Sequence, residues 1–155
     1  MKYLSILFLF LASFSLHAQK QTTPDFSVEC PCTLETEKSG DVATYSCVDF
    51  YKNAAYKVEV VHYPNGIPDG LSEQEHLQGY YADLIARGTS ADWVTMWDNL
   101  AVLYRVSEPI SMTQLVISDN VVFFWKGKRY TLIVTTLSGT RRTLFKDFTN
   151  SFILK

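Results

Sequence analysis

The chain has 155 residues, with 14 Lys and Arg against 16 Asp and Glu, and a formal net charge of −2. This balance lacks the basic footprint of a protein that binds nucleic acid or an anionic membrane surface. An aromatic content of 14% predicts a folded domain rather than a disordered chain.

The N-terminus has the layout of a cleavable secretory signal. Lys2 supplies a positive charge, the stretch 3–16 is almost wholly apolar, and Ala18 precedes a polar segment. The apolar run is shorter than the roughly 20 residues that span a bilayer, so we expect no transmembrane segment. Cleavage after Ala18 is favoured, and cleavage after Ser15 is the alternative. We therefore predict a secreted or periplasmic protein.

The rest of the chain is long enough for one domain with its own core. The predicted division is a signal peptide over 1–18, a flexible segment over 19–25 and a single globular domain over 26–155.

Three cysteines follow, and export makes a disulfide possible. Two strands that flank a turn at Ser39-Gly40 would place Cys32 directly opposite Cys47, at a distance that a disulfide tolerates. Cys30 would then be the spare thiol. A register shifted by two residues would pair Cys30 instead.

The same cysteines could form a three-thiolate site for a soft metal such as Cu(I) or zinc, completed by His62. However, Cys-x-Cys with one distant Cys is a weak motif, and structural zinc usually takes four ligands. We therefore predict a disulfide and neither a metal nor another cofactor. A thiol-dependent metal-binding or redox role of Cys30, Cys32 and Cys47 is the alternative function.

The middle of the chain predicts a strand, a helix and an ambiguous segment. Residues 53–63 alternate between two faces, as in a strand. Ser72 and Glu75 form a capping box that begins a helix, and Gly88 ends it. The segment 93–106 favours a hairpin that turns at Asp98-Asn99, with a helix as the alternative.

The C-terminal part predicts two strands and a last helix. Residues 121–125 are apolar at every position, so both faces of that strand need cover. A second strand follows over 129–136, and Leu144, Phe145, Phe148 and Phe152 lie on one stripe of a helix. We therefore expect an α+β fold in which helices cover both faces of an antiparallel or mixed sheet, as a three-layer α/β/α sandwich.

This order of elements, with the closing pattern Phe145-x-x-Phe148-x-x-Ser151-Phe152, resembles the PsbP/Mog1-like α/β/α sandwich family. The resemblance covers about residues 26–154. It implies an accessory or binding protein rather than an enzyme, and it carries over no catalytic residues.

The residues themselves also predict no enzyme. His62 and His76 are isolated, and no known catalytic motif is present. A ligand site is expected at Trp93, Trp97 and Tyr63, because clustered aromatic side chains line pockets and partner grooves. The predicted function is a non-enzymatic accessory or binding domain, with an unknown protein or small-molecule ligand and no nucleic acid as partner.

Overall fold

The computed structural model describes residues 18–137 and 143–155. The predicted signal peptide lies outside these ranges except for Ala18. In chain order the elements are β1 (Gln19–Thr22), β2 (Phe26–Cys30), β3 (Glu35–Ser39), β4 (Val42–Asp49), β5 (Ala54–His62), a 3-10 turn (Pro68–Gly70), α1 (Glu73–Ala86), β6 (Ala91–Met96), β7 (Asn99–Pro109), β8 (Leu115–Trp125), β9 (Lys128–Leu137), α2 (Thr143–Ser151) and β10 (Ile153–Leu154).

The strands form two antiparallel sheets. The larger has seven strands in the order β3-β4-β5-β9-β8-β7-β6, and the smaller has three in the order β1-β2-β10. Two-residue turns join three of the six neighbouring pairs of strands in the large sheet: β3–β4, β6–β7 and β8–β9. The β8–β9 turn, for example, is the pair Lys126-Gly127, and both residues have positive φ, of 50° and 73°. Such turns match the twist of the strands that they connect.

Strand β8 separates two apolar cores. Val121 and Phe123 belong to one core, whereas Val122 and Phe124 belong to the other. Since successive side chains of a strand point to opposite faces, the large sheet is covered on both faces here. This arrangement matches the uninterrupted apolar run that the sequence shows.

Helix α1 covers one face of the large sheet, over β6, β7 and β8. Its first turn carries the predicted capping box, because the Ser72 hydroxyl accepts from the Glu75 amide and the Glu75 carboxylate accepts from the Ser72 amide at 2.8 Å. Leu77 and Leu84 are buried against the sheet. The chain leaves the helix through Gly88, whose φ is +76°.

The other face is covered by α2 together with the small sheet. Phe148 and Phe152 are buried in the same core as Phe26 of β2, and the rings of Phe26 and Phe152 stack with centroids 4.9 Å apart. The segment 19–25, predicted to be flexible, instead contains β1, which pairs along β2. Strand β1 is polar and pairs with β2 through its backbone, so its sequence lacks the alternation of apolar residues from which a strand is predicted.

The expected three-layer α/β/α sandwich is wrong. The described residues are mostly strand, in two sheets, with two α-helices only. The layer that was expected to be helical on one face contains β1, β2 and β10 beside α2. Since two helices cannot cover a seven-stranded sheet, backbone-paired strands supply part of the cover.

The segment 93–106 forms a hairpin, as favoured, but its turn is Trp97-Asp98 rather than Asp98-Asn99. Both turn residues have positive φ, of 50° and 61°.

Candidate functional site

Three sulfur atoms meet where β2 ends. Cys32 and Cys47 form a disulfide with their Cα atoms 5.9 Å apart. The Sγ of Cys30 lies 3.1 Å from the Sγ of Cys47, and the three sulfurs all lie within 4.8 Å of one another. We call Cys30, Cys32 and Cys47 the sulfur cluster.

The register that led to the Cys32–Cys47 pair is wrong, although the structure joins these two residues. Strand β3 begins only at Glu35, which faces Ser46 of β4, so the ladder is shifted by two residues from the expected one. Cys32 precedes β3 and lies in the bend after Pro31. The bend, rather than a ladder position, brings Cys32 beside Cys47.

The unpaired cysteine of the cluster is fully buried, with 0% of its surface exposed. Burial raises the pKa of the Cys30 thiol, and the Asp49 charge adds to this, while a backbone hydrogen bond to Cys32 and the Lys52 charge act in the opposite direction. A thiol with a raised pKa is protonated at neutral pH and is a poor nucleophile. Cys30 is therefore placed for contact with the other sulfurs rather than for attack on a substrate.

His62 does not join the cluster. Cys47 pairs with Tyr56 of β5, and His62 lies at the far end of the same strand. Six residues of strand correspond to about 20 Å. The idea that His62 completes a metal site is therefore wrong.

The structure does not bring the predicted ligand-binding aromatics together. Trp93 stacks on Tyr81 at 5.0 Å, and Trp97 packs on Phe123 and Phe152 in the core on the other face of the sheet. Tyr63 belongs to the core under α1. A ligand role for Trp93, Trp97 and Tyr63 stays a prediction, and the contacts of all three are packing contacts.

Tyr63 and His76 pack with Phe124 as a ring cluster beside α1, with the His76 and Phe124 centroids 5.6 Å apart. Burial lowers the pKa of His76, and the nearby Arg129 charge lowers it further. The neutral imidazole is thus the favoured form in this environment.

A charged cleft of about 430 Å³ lies on the α2 side of the large sheet. Arg105 of β7 donates to Asp119 on the neighbouring β8 at 2.6 Å, and Asp92 and Lys146 also line the cleft. The charges of Arg105 and Asp119 neutralise each other. The described lining of the cleft contains no histidine or cysteine. That the chain is not an enzyme stays a prediction.

Exposed apolar side chains concentrate at one end of the large sheet. The β4–β5 turn lies there, because Asp49 faces Ala54 and Ala54 faces Thr136 near the end of β9. The β7–β8 hairpin ends at the same level, since Thr136 faces Ile117. Eleven large hydrophobic side chains are exposed among the described residues, and six belong to this end: Val48, Phe50, Tyr51, Ile110, Met112 and Leu115.

We call these six residues the apolar end. Phe50 and Tyr51 are 82% and 84% exposed at the tip of their turn. Asp49 holds this turn, because its carboxylate accepts from the amides of Tyr51 and Lys52 at 3.0 and 3.2 Å. Beside the turn runs a shallow groove of about 220 Å³, lined mainly by apolar atoms of Val48, Phe50 and neighbouring strand residues.

Sequence reasoning missed the apolar end, because its two halves are about 60 residues apart in the chain. The available signal was the presence of Phe50-Tyr51 and of Ile110 and Met112 in segments that otherwise have turn character. Turns are usually polar, so large apolar side chains within them indicate contact with something outside the domain.

No helix within the described residues is long and apolar enough to cross a membrane. The disulfide is consistent with an extracytoplasmic protein, since such bonds persist in oxidising compartments.

Comparison with known proteins shows a fold and no more. No protein-family model matches the sequence, and no curated protein matches it. The solution structure of cyanobacterial PsbP (CyanoP) from Synechocystis sp. PCC 6803 is similar, with a TM-score of 0.52 and 12% identity over 93% of this chain and 96% of that one. The chain therefore has a PsbP-like fold.

A protein of Bacteroides thetaiotaomicron VPI-5482, whose crystal structure was determined at 1.50 Å resolution, is also similar. The TM-score is 0.62, with 9% identity over 90% of this chain. The present chain spans only about half of that protein, 49% of its length. Such low identity carries over neither ligand nor activity.

Proposed function

We propose that this chain is an exported, non-enzymatic accessory domain that docks onto a partner protein through the apolar end. The observation that carries the proposal is the concentration of six exposed large hydrophobic side chains, of eleven in the part of the chain that the structure describes, at one end of the sheet. The signal-like N-terminus supports export, and the PsbP-like fold supports an accessory role.

A protein partner fits the shape of the apolar end better than a small molecule does. The groove beside Val48 and Phe50 is open and holds about 220 Å³, below the usual range of about 300–1,000 Å³ for small-molecule sites. The protruding Phe50, Tyr51 and Met112 are of the residue types that are enriched in protein interfaces.

The charges around the apolar end also favour a protein over a lipid surface. Lys52 is the cation of the β4–β5 turn, and its ammonium lies 3.9 Å from the Asp49 carboxylate. On the other hairpin, Glu108 adds a negative charge. An anionic membrane surface attracts clusters of Lys and Arg, which neither turn carries.

The side chains at the tip can supply much of the binding free energy. Complete burial of an aromatic or large aliphatic side chain contributes about 1.5–3 kcal/mol. Phe50 and Tyr51 are both more than four-fifths exposed in the isolated chain, so a partner that covers them gains most of this amount from each. We therefore expect these two residues to dominate the interaction.

The test compares two double variants as bait for proteins from the native cell envelope and culture fluid. Phe50→Ser/Tyr51→Ser removes the tip, and Glu37→Ser/Lys38→Ser, which changes two exposed residues of β3, is the matched control. We expect partner recovery to fall at least about tenfold for the first variant, with no change for the second. Equal recovery by both variants would contradict the proposal, and unchanged thermal stability confirms that both are folded.

A second function, a thiol-dependent role of the sulfur cluster, is favoured by one observation. Three cysteine sulfurs lie within 4.8 Å of one another, although a disulfide requires only two.

A further inference from the structure

The third cysteine of the sulfur cluster has no role in the disulfide. Cys30 is fully buried, and its sulfur is 3.1 Å from that of Cys47. The Cys47 sulfur also lies 3.4 Å from the carbonyl oxygen of Cys32, so the cluster is tightly packed. A disulfide needs only two cysteines, so bracing of the fold alone does not account for a third, fully buried sulfur at this distance.

We propose that the reduced sulfur cluster is a three-coordinate site for one Cu(I) ion, and that the Cys32–Cys47 disulfide is its oxidised, metal-free form. This inference rests on the second proposed function and is independent of the apolar end. Thiolates are soft ligands, and Cu(I) is a soft cation that they select. Among the described residues no fourth ligand joins the cluster, which disfavours structural zinc with its usual four.

The spacing of the sulfurs suits a single ion. Metal–thiolate distances are about 2.3 Å, so three sulfurs arranged in a plane around one ion lie about 4.0 Å apart. The three sulfurs already fall within 4.8 Å of one another while two are bonded. After reduction, small side-chain rotations therefore suffice to bring all three to equal distances from an ion.

Charged side chains lie close to the sulfur cluster. A cleft of about 190 Å³ opens beside Pro31, which separates the first two cysteines, and Glu29 and Asp147 line it. Carboxylates at the opening attract cations. Lys52 lines the same cleft and lies close enough to act on Cys30, so it offsets part of the negative charge of the thiolates.

Loading requires a reduction followed by a proton exchange. A dithiol reductant transfers two electrons and two protons to the Cys32–Cys47 disulfide and becomes a disulfide itself, leaving three thiols. Cu(I) then replaces up to three thiol protons, one for each copper–sulfur bond. Since the protons are released, copper affinity rises with pH.

The experiment titrates the reduced protein with Cu(I) under oxygen-free conditions, in competition with a chromophoric Cu(I) chelator. We expect one equivalent to bind, and X-ray absorption to count three sulfur ligands. Cys30→Ser should retain two sulfur ligands and bind at least about tenfold more weakly. Val28→Ala, which truncates a fully buried neighbour on β2, is the control and should bind like the wild type.

Three results would overturn the inference. In the first, the reduced wild type binds no copper or shows only two sulfur ligands. In the second, the Cys30→Ser variant binds Cu(I) as tightly as the wild type. In the third, the oxidised protein binds Cu(I) as tightly as the reduced protein. The comparison of oxidised with reduced wild type needs no substitution, so it stays decisive if a variant does not fold.

Discussion

Reduction of the Cys32–Cys47 disulfide should destabilise the domain by an amount that its loop length sets. The two cysteines are 15 residues apart in the chain. A disulfide that closes a loop of this size restricts the unfolded chain, and removing this restriction lowers the free energy of unfolding by about 3 kcal/mol at 25 °C. If the free energy of unfolding decreases by about 2 kcal/mol for each molar of urea, the urea concentration at the unfolding midpoint should fall by about 1.5 M.

The measurement is urea unfolding of the metal-free protein with and without a reductant, followed by tryptophan fluorescence. Cys30→Ala is the background of choice, because it removes the third thiol and with it any exchange. The triple variant Cys30→Ala/Cys32→Ala/Cys47→Ala is the control and should not respond to reductant. A change below about 1 kcal/mol in the free energy of unfolding would refute the loop argument, since it would show that the unfolded chain gains little freedom on reduction.

Two further predictions concern α1 and its surroundings. Ser72→Ala removes the hydroxyl that accepts from the Glu75 amide, so the free energy of unfolding, measured by thermal unfolding, should fall by about 1 kcal/mol. Ser72→Thr keeps a hydroxyl and should retain most of the wild-type stability. Equal stability of the Ala and Thr variants would contradict this prediction. The pKa of His76 is lowered by burial, so just below the ordinary histidine value of about 6.5 the unfolded chain binds more protons than the folded one. Stability should therefore fall as the pH decreases through this window. His76→Gln should flatten the profile measured by urea unfolding, and an unchanged slope in this variant would assign the effect to other groups.

Local signals predicted the elements that depend on local physics. The capping box at Ser72 is complete within four residues of chain, so the start of α1 was readable. The run 121–125 is apolar at every position, and β8 is indeed buried on both faces there. In both cases neighbouring residues in the chain decide the outcome.

The register of the β3–β4 hairpin was wrong because it depended on the placement of one turn. The turn pair is Gly40-Asp41 rather than Ser39-Gly40, since Ser39 faces Val42. Moving the turn by one residue moves every facing pair by two. Gly40, whose φ is +58°, is the first residue of the turn. The sequence alone did not show whether Gly40 is the first or the second residue of a two-residue turn.

The small sheet and the apolar end could not be predicted, because both arise from contacts between distant segments. β10 has only two residues, and its Ile153 and Leu154 face Ser27 and Phe26. The β4–β5 turn and the β7–β8 hairpin come to one end only through the pairing of β5 with β9 and of β9 with β8.

Strand β3, at one border of the large sheet, limits how a second molecule can associate there. Every residue of β3 is exposed, and Glu35, Glu37 and Lys38 lie along it. A strand from a second molecule could add to this border only by placing its backbone beside these charges, which opposes polymerisation. The domain can therefore expose the side chains of the apolar end without growing into fibres from this side.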